Sequence, residues 1–271
     1  MAARDGGRGS RRADSRRLAS DGMERALCPA ASLRVSRGAG GHAVSFGLGR
    51  GRELVPGAVG IEMHDLPPLP DAASVEEARR ILAFDPRAFF AEPARRFEIE
   101  IGSGKGTFLL QQAELEPETN FLGIEWAGEF WAYAADRIRR RGMPNVRLLH
   151  GDATEFIRTR VPDGIVSVIH LYFSDPWPKT RHHKRRVVQD HTLREFHRVL
   201  APEGELRIVT DHDELWAWDV EHAERAGDLF VRREFEKPAS AGEDEVVGTN
   251  FERKFRREGR PFHAMTLVRR V

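Results

Sequence analysis

Leu171–Arg186 reads LYFSDPWPKTRHHKRR, and its two halves belong to different kinds of structure. The first half ends an apolar run from Ile165 to Phe173, continuous enough for a strand buried on both faces of a parallel sheet. The second half opens on Ser174-Asp175-Pro176-Trp177-Pro178. Two prolines there fix φ and supply no N–H, so regular structure stops. Asp175 and Trp177 are thereby placed at the C-terminal end of a strand, where open parallel sheets carry their ligands. Lys179, Arg181, Lys184, Arg185 and Arg186 follow, with His182 and His183 among them. A dense basic run beside a carboxylate and an indole points to a phosphate-rich ligand over the strand end. A solvated charge run after an ordinary turn is the plainer reading, and the Pro-Trp-Pro bracket argues against it.

Working outward, strands alternate with helices. The pattern predicts strands over Phe97–Ile101, Phe121–Glu125, Val146–Leu149, Ile165–Phe173, Glu205–Asp211, Leu229–Phe235 and Phe262–Val268. Helices are expected from Ser74 towards Leu82, then over Thr107–Leu115, Trp126–Arg141, Thr154–Val161, Val188–Leu200, Asp213–Ala226 and Asn250–Glu258. Gly142 with Pro144, and Pro162-Asp163-Gly164, are the stop signals. Pro202-Glu203-Gly204 reads as a turn. This alternation predicts an α/β fold: a doubly wound, mostly parallel seven-stranded sheet with helices on both faces. The last two strands are joined without a full crossover, so an antiparallel strand closes the C-terminus.

Residues 66–271 hold this pattern. Residues 1–65 are rich in Arg, Gly, Ala and Ser with no sustained apolar period, and are expected to be a disordered extension. A basic RNA-seeking tail, a transit peptide, or a true start at Met23 or Met63 are the other readings; Asp5, Asp14, Asp21 and Glu24 weigh against a transit peptide. The net charge of the 271 residues is +1, which excludes a globally basic nucleic-acid binder and leaves local patches. No apolar run reaches membrane-spanning length, so no membrane partner is expected. The single cysteine, Cys28, rules out an internal disulfide and fits a reducing, cytoplasmic location. His170, His182, His183, His191 and His197 lack Cys or closely spaced carboxylate partners, so no metal site is expected.

Three constellations carry chemistry. Glu98-Ile99-Glu100-Ile101-Gly102-Ser103-Gly104-Lys105-Gly106-Thr107 places glycines between a strand and a helix, where Gly102 and Gly104 let a ligand approach the backbone. The spacing is G-x-G-x-G with Thr107 where a dinucleotide fingerprint wants glycine, which speaks against a nucleotide-dependent dehydrogenase. Glu100 repels pyrophosphate and suits an ammonium group. Glu125 ends the next strand, about twenty residues on, where a doubly wound fold sets an acid on ribose hydroxyls; a surface acid opening a helix is its plain reading. Asp152, in His150-Gly151-Asp152-Ala153, follows the third strand and is suited either to an adenine amine or to capping a helix. Together the three strand ends describe an adenosine-containing ligand with an amino-acid-like end, S-adenosylmethionine.

EIGSGKG, FLGIE, HGDA and above all FSDPWPKTRHHKRR resemble the bacterial tRNA (guanine-N7-)-methyltransferase family, of the class I methyltransferase fold. Thr210-Asp211 and Gly248–Lys254 look like its C-terminal substrate motifs, with Asn250 where members often carry Lys. The resemblance covers roughly Phe84 to Val271. It implies that Glu100, Glu125, Asp152 and Asp175 contact the cofactor. It implies that Lys179, Asp211, Thr249, Asn250, Phe251 and Glu252 contact substrate, and that Arg181, His182, His183, Lys184, Arg185 and Arg186 touch RNA. The implied target is guanine 46 of the tRNA variable loop, in a monomeric or homodimeric enzyme.

Guanine N7 presents a free lone pair, so no strong general base is required and catalysis can rest on positioning and electrostatics. Asp175 is the catalytic candidate, either favouring the cation that N7 methylation creates or holding the base by its N1–H and amino protons. Asp211 and Glu252 are alternative holders, and Trp177 either stacks on the base or packs as core. Two other readings compete: an adenine amino methyltransferase, which the basic run and single proline after Asp175 disfavour, and a non-catalytic RNA-binding module.

Overall fold

A central strand of a covered sheet is buried on both faces, and the strand from Val166 to Tyr172 is buried at every position but Ser167. In the computed structural model, which describes residues 48, 49 and 51–271, it sits fifth in a sheet of eight described strands. These are β1 (Gly60–Glu62), β2 (Arg96–Ile101), β3 (Thr119–Glu125), β4 (Val146–His150), β5 (Val166–Tyr172), β6 (Leu200–Thr210), β7 (Phe230–Arg233) and β8 (His263–Arg269). Their order is β1-β4-β3-β2-β5-β6-β8-β7, with β8 antiparallel to both of its neighbours and every other pair parallel. The chain winds outward from β2 in both directions, so the switch point lies between β2 and β5.

The described helices are α1 (Val75–Leu82), α2 (Thr107–Leu115), α3 (Gly128–Arg141), α4 (Ala153–Arg160), α5 (Asp190–Val199), α6 (Asp213–Arg225) and α7 (Asn250–Arg257). Strand alternation divides the core into two layers. Phe97, Ile99 and Ile101 of β2 join Phe156 and Ile157 of α4, Leu193 and Phe196 of α5 and Ala223 of α6 on one face. On the other face Phe108 and Leu109 of α2 pack with Trp131, Ala135 and Ile138 of α3 and with Tyr172 of β5. The polar residues of β2 point into this second layer. There Glu98 Oε2 lies 2.8 Å from His170 Nε2, and His170 Nδ1 lies 2.7 Å from the Tyr172 hydroxyl. Burial pushes the Glu98 carboxyl up, but its bonds to His170 and Arg96 outweigh that and hold it below the ordinary range.

Three expectations are corrected. The sheet has one strand more than the seven expected, because part of the presumed extension is folded. Gly60–Glu62 pairs in parallel with β4, Val59 lies in the second core layer, and Arg52 and Arg139 both bind Asp136 at 2.9 Å. Arg139 also donates to the Val55 carbonyl at 2.7 Å. A three-residue strand is too short to show a period, and Pro56, Gly57 and Gly60 disguise it. The remaining part of the 1–65 extension, residues 1–47 and 50, lies outside the described residues. The expected turn at Pro202-Glu203-Gly204 lies inside β6: the β5–β6 register shifts between Val166 and Val168, and Glu203 takes φ of 59°, a bulge in a continuous strand. Helix α3 starts at Gly128, which leaves Trp126 in the connection after β3, 73 % exposed.

Candidate active site

The glycine spacing is explained by backbone conformation. Gly102, Gly104 and Gly106 all adopt left-handed φ, at 73°, 52° and 65°, a region that costs a side-chain-bearing residue about 1–2 kcal/mol. Thr107 can therefore open α2, and the missing fourth glycine is not needed. A Cβ on Gly102 would meet nothing within 4 Å, so the loop leaves open space at that point. Glu125 holds the loop: Gly104 N–H donates to its Oε2 at 2.7 Å and Ala127 N–H to its Oε1 at 2.8 Å. This fixes the carboxylate at the end of β3 against the glycine turn.

Glu100, next to last in β2, lies beside it, 4 % exposed, and among the described residues its Oε2 has no hydrogen-bond partner. Burial, reinforced by the nearby Glu125, pushes the Glu100 carboxyl well above its ordinary range. Burial likewise raises Glu125 against its two backbone bonds, and Asp175 raises it further. Three carboxylates thus stand at the ends of β3, β2 and β5, one of them unpartnered and two reluctant to ionise. Such a row is relieved by a cation. A sulfonium with an ammonium group fits this donor set, whereas a pyrophosphate would face the uncompensated Glu100.

At the end of β4, Asp152 caps α4. Its Oδ1 accepts from the N–H groups of Thr154 and Glu155 at 2.9 and 3.1 Å. One carboxylate oxygen is therefore committed to the helix and the residue is exposed. His150 on the same strand lies 2.7 Å from Glu62 Oε2 through Nδ1 and 3.2 Å from the Trp126 carbonyl through Nε2. The folded strap around β1 thus braces the β3–β4 edge of the site. Trp126, exposed in the connection directly after the strand-end acid Glu125, is a further candidate that the strand pattern did not single out.

The turn after β5 is strained on both sides of Asp175. Phe173 and Trp177 take φ of 56° and 44°, left-handed values that non-glycine residues hold only where the surroundings impose them. Asp175 itself is exposed between them. Thr180–Arg185 then forms a 3-10 helix. Arg181, Lys184 and Arg185 are exposed on it, as is Lys179 before it, while His182 and His183 are half-buried. Trp177 packs against the turn, with the Arg185 guanidinium 4.8 Å from its ring centroid and His182 edge-on at 5.7 Å. Arg186 departs from the expectation of an RNA contact. It is 2 % exposed, donates to the Pro176 carbonyl at 2.9 Å and to Glu214 at 2.7 Å, and lies over Trp218. It ties the basic turn to α6 and has no face left for a ligand.

The C-terminal motif separates in the same way. Gly248 is left-handed at 76°, and Thr249 caps α7 by accepting from Glu252 N–H at 3.0 Å. Glu252 is fully buried. Its two oxygens accept from the N–H groups of Val246, Val247 and Gly248 at 2.6–2.9 Å and from Arg256 at 2.8 Å. Glu252, expected to contact substrate, has both oxygens engaged in its own loop and in Arg256. Asn250 donates to Thr107 Oγ1 at 2.7 Å, and Phe251 reaches over the glycine turn, 3.4 Å from where a Gly104 Cβ would sit. Asp211, at the end of β6, is paired with Arg260 at 2.7 Å. Helix α7 so closes one side of a cavity of about 630 Å³ whose base is Glu100, Gly102 and Ser103. No group of three His, Cys, Asp or Glu side chains suited to a metal ion occurs among the described residues.

The chain is similar to proteins of one family. The family model Methyltransf_4, described as "Putative methyltransferase", matches residues 94–265. A tRNA (guanine-N(7)-)-methyltransferase of Agrobacterium fabrum is 36 % identical over 68 % of this chain and 78 % of its own length. That of Nitrobacter hamburgensis is 36 % identical over 85 % of this chain and 87 % of its own. That of Rhodopseudomonas palustris is 34 % identical over 89 % and 92 %. With the match spanning the glycine turn, the strand-end acids and the Asp175 turn, the chain belongs to the tRNA (guanine-N7-)-methyltransferase family of class I methyltransferases.

Proposed function

We propose that this protein transfers the methyl group of S-adenosylmethionine to N7 of guanine 46 in the variable loop of tRNA. The observation that carries the reading is the row of Glu100, Glu125 and Asp175 facing a left-handed glycine turn, beside a turn of exposed cations. Bound there, S-adenosylmethionine supplies an electrophilic methyl group on a sulfonium. Glu100 receives the ammonium end, Glu125 and Asp152 the ribose and adenine, and Gly102 and Gly104 give the ligand close approach to the backbone. Trp126 covers the adenine side.

Guanine N7 needs no proton removed, so no group at the site has to act as a strong base. Asp175 is the catalytic residue: its exposed carboxylate lies where the purine becomes cationic and stabilises that charge in the transition state more than in the ground state. Lys179, Asp211, Thr249, Asn250 and Phe251 surround the base. Arg181, Lys184 and Arg185, with His182 and His183 shaping the turn, hold the phosphates, so tRNA affinity falls as salt rises. A substrate of this kind implies a cytoplasmic location, and no described helix is long and apolar enough to cross a membrane.

The position is tested with two unmodified transcripts, one carrying adenine in place of guanine 46. Label from S-adenosylmethionine is expected on the first alone, with aniline-induced cleavage at that nucleotide. Equal label on both transcripts would remove position 46 from the proposal.

A further inference from the structure

The cavity beside the glycine turn has two chemically different ends. The inner end is Glu100, Gly102 and Ser103, already placed in the active site. The outer end opens between α3 and α7 and is basic: Lys105 from the glycine turn, Arg137 from α3, and Arg253, Lys254 and Arg257 from α7. Among the described residues, the single carboxylate lining the cavity is Glu100, at the far end. In a chain of net charge +1, five cations around one opening are a local concentration.

Most of that charge is unspent. Among the described residues, Lys105, Arg137 and Arg257 have no carboxylate within ion-pair distance, and the Lys254 ammonium reaches only Glu258, at 4.0 Å. Arg253 alone is neutralised, by Glu245. Arg137 is held in place by donating through Nη1 to the Lys105 carbonyl and the Thr107 hydroxyl, 3.2 and 3.1 Å away, and its other N–H groups have no acceptor among the described residues. Phe251 stands at the rim, 42 % exposed, stacked on Phe255. Fixed cations spread over three elements with an exposed aromatic between them suit a sugar-phosphate chain with an unstacked base. The lining adds the placement. The cavity is lined from β2 by Glu100 and from β5 by Tyr172, and Phe255 of α7 lies 6.0 Å from Phe173, two residues before Asp175, so the basic opening stands beside the strand ends that carry Glu100 and Asp175.

We infer that the outer end of this cavity, built from Lys105, Arg137, Lys254 and Arg257, is a second tRNA-binding surface. It grips the phosphate backbone at the α3–α7 opening, beside the reacting strand ends, while the turn after β5 grips it at another point. The inference rests on the methyltransferase reading.

The test is tRNA binding by fluorescence anisotropy against salt, with S-adenosylmethionine titrated separately by calorimetry. The protein is the full chain, as wild type, as Lys254→Gln with Arg257→Gln, and as Lys105→Gln. Lys254 and Arg257 are exposed, so the double variant should melt as wild type does. The double variant is expected to lose at least about tenfold in tRNA affinity near 50 mM salt. Its plot of log affinity against log salt should flatten by about 1.5, the share of two phosphate contacts. Lys105→Gln is expected to flatten it by about half that amount, and cofactor affinity should stay within about twofold. Unchanged tRNA affinity and slope in both variants would overturn the inference. Weakened cofactor binding with unchanged tRNA binding would also overturn it and give the cations to the cofactor. A wild-type protein that binds cofactor and no tRNA would instead overturn the functional reading itself.

Discussion

The cofactor half of the site and the RNA half are built on opposite charges and by opposite means. At the ends of β2, β3 and β4 stand acids: Glu100 buried on its strand, Glu125 held by the Gly104 and Ala127 N–H groups, and Asp152 held as the cap of α4. In the turn after β5 and in α7 the groups are mostly cations, and two buried charges, Arg186 and Glu252, tie these segments down. The lesson is that one charged motif mixes ligand-facing and frame-building residues, and burial sorts them.

That contrast can be broken most directly at Glu252. Glu252→Ala is expected to destabilise the protein by roughly 3–5 kcal/mol, because three loop N–H groups and Arg256 lose a buried acceptor together. Asp175→Ala should abolish turnover and leave the melting temperature near that of wild type. Thermal melts and turnover of the two variants check the pair, and a Glu252 variant that melts normally would return that residue to the ligand.

A second comparison lies within the basic run. Arg186→Gln should cost roughly 2–4 kcal/mol by removing a saturated buried guanidinium. Arg185→Gln should weaken tRNA binding while changing stability by less than about 0.5 kcal/mol. Denaturant unfolding and anisotropy separate the outcomes.

The ground beneath Arg186 has its own signature. Asp219 of α6 is 1 % exposed, both its oxygens lack a partner among the described residues, and burial lifts its carboxyl to about 7, though the nearby Arg186 opposes the shift. In the unfolded chain the same group titrates near 3.9. The folded protein thus keeps a proton that the unfolded chain releases, so this contribution to stability is lost as pH rises from about 4 to about 7. Asp219→Asn should remove that slope, gaining up to about 4 kcal/mol over wild type between those limits. Unfolding free energies at pH 5 and pH 8 test it, and parallel slopes would count against the buried carboxyl.

The smallest expected effect is on the cofactor side. Burial, with Glu125 nearby, pushes the Glu100 carboxyl well above its ordinary range, and a bound ammonium pulls it back towards ionisation. Cofactor binding should therefore release protons and tighten as pH rises. Calorimetry in two buffers of different ionisation enthalpy reads that release, and identical enthalpies in both would contradict it.

The cofactor half is legible in sequence because topology does the sorting. A residue at the C-terminal end of a parallel strand faces the ligand edge whatever its neighbours, so the strand pattern alone places Glu100, Glu125 and Asp175. The left-handed glycines then show why G-x-G-x-G suffices. The RNA half is legible only as a composition. Nothing in HHKRR distinguishes buried Arg186 from exposed Arg185, because the distinction is made by Trp218 and Glu214 of α6, about thirty residues away. Asp152 carries both a helix-capping and a ligand reading, and its Oδ1 takes the first. The strap before β2 is invisible in sequence for a different reason: its strand is three residues long and its anchors, Asp136 and Arg139, lie on α3.

The most direct measurement is of the product. Unmodified tRNA is incubated with the protein and S-adenosylmethionine, digested to nucleosides and resolved by mass spectrometry. The expected result is 7-methylguanosine approaching one per tRNA, absent with Asp175→Ala. N6-methyladenosine in its place, or no methylated nucleoside despite bound cofactor, would contradict the assignment of these acids and cations to guanine N7.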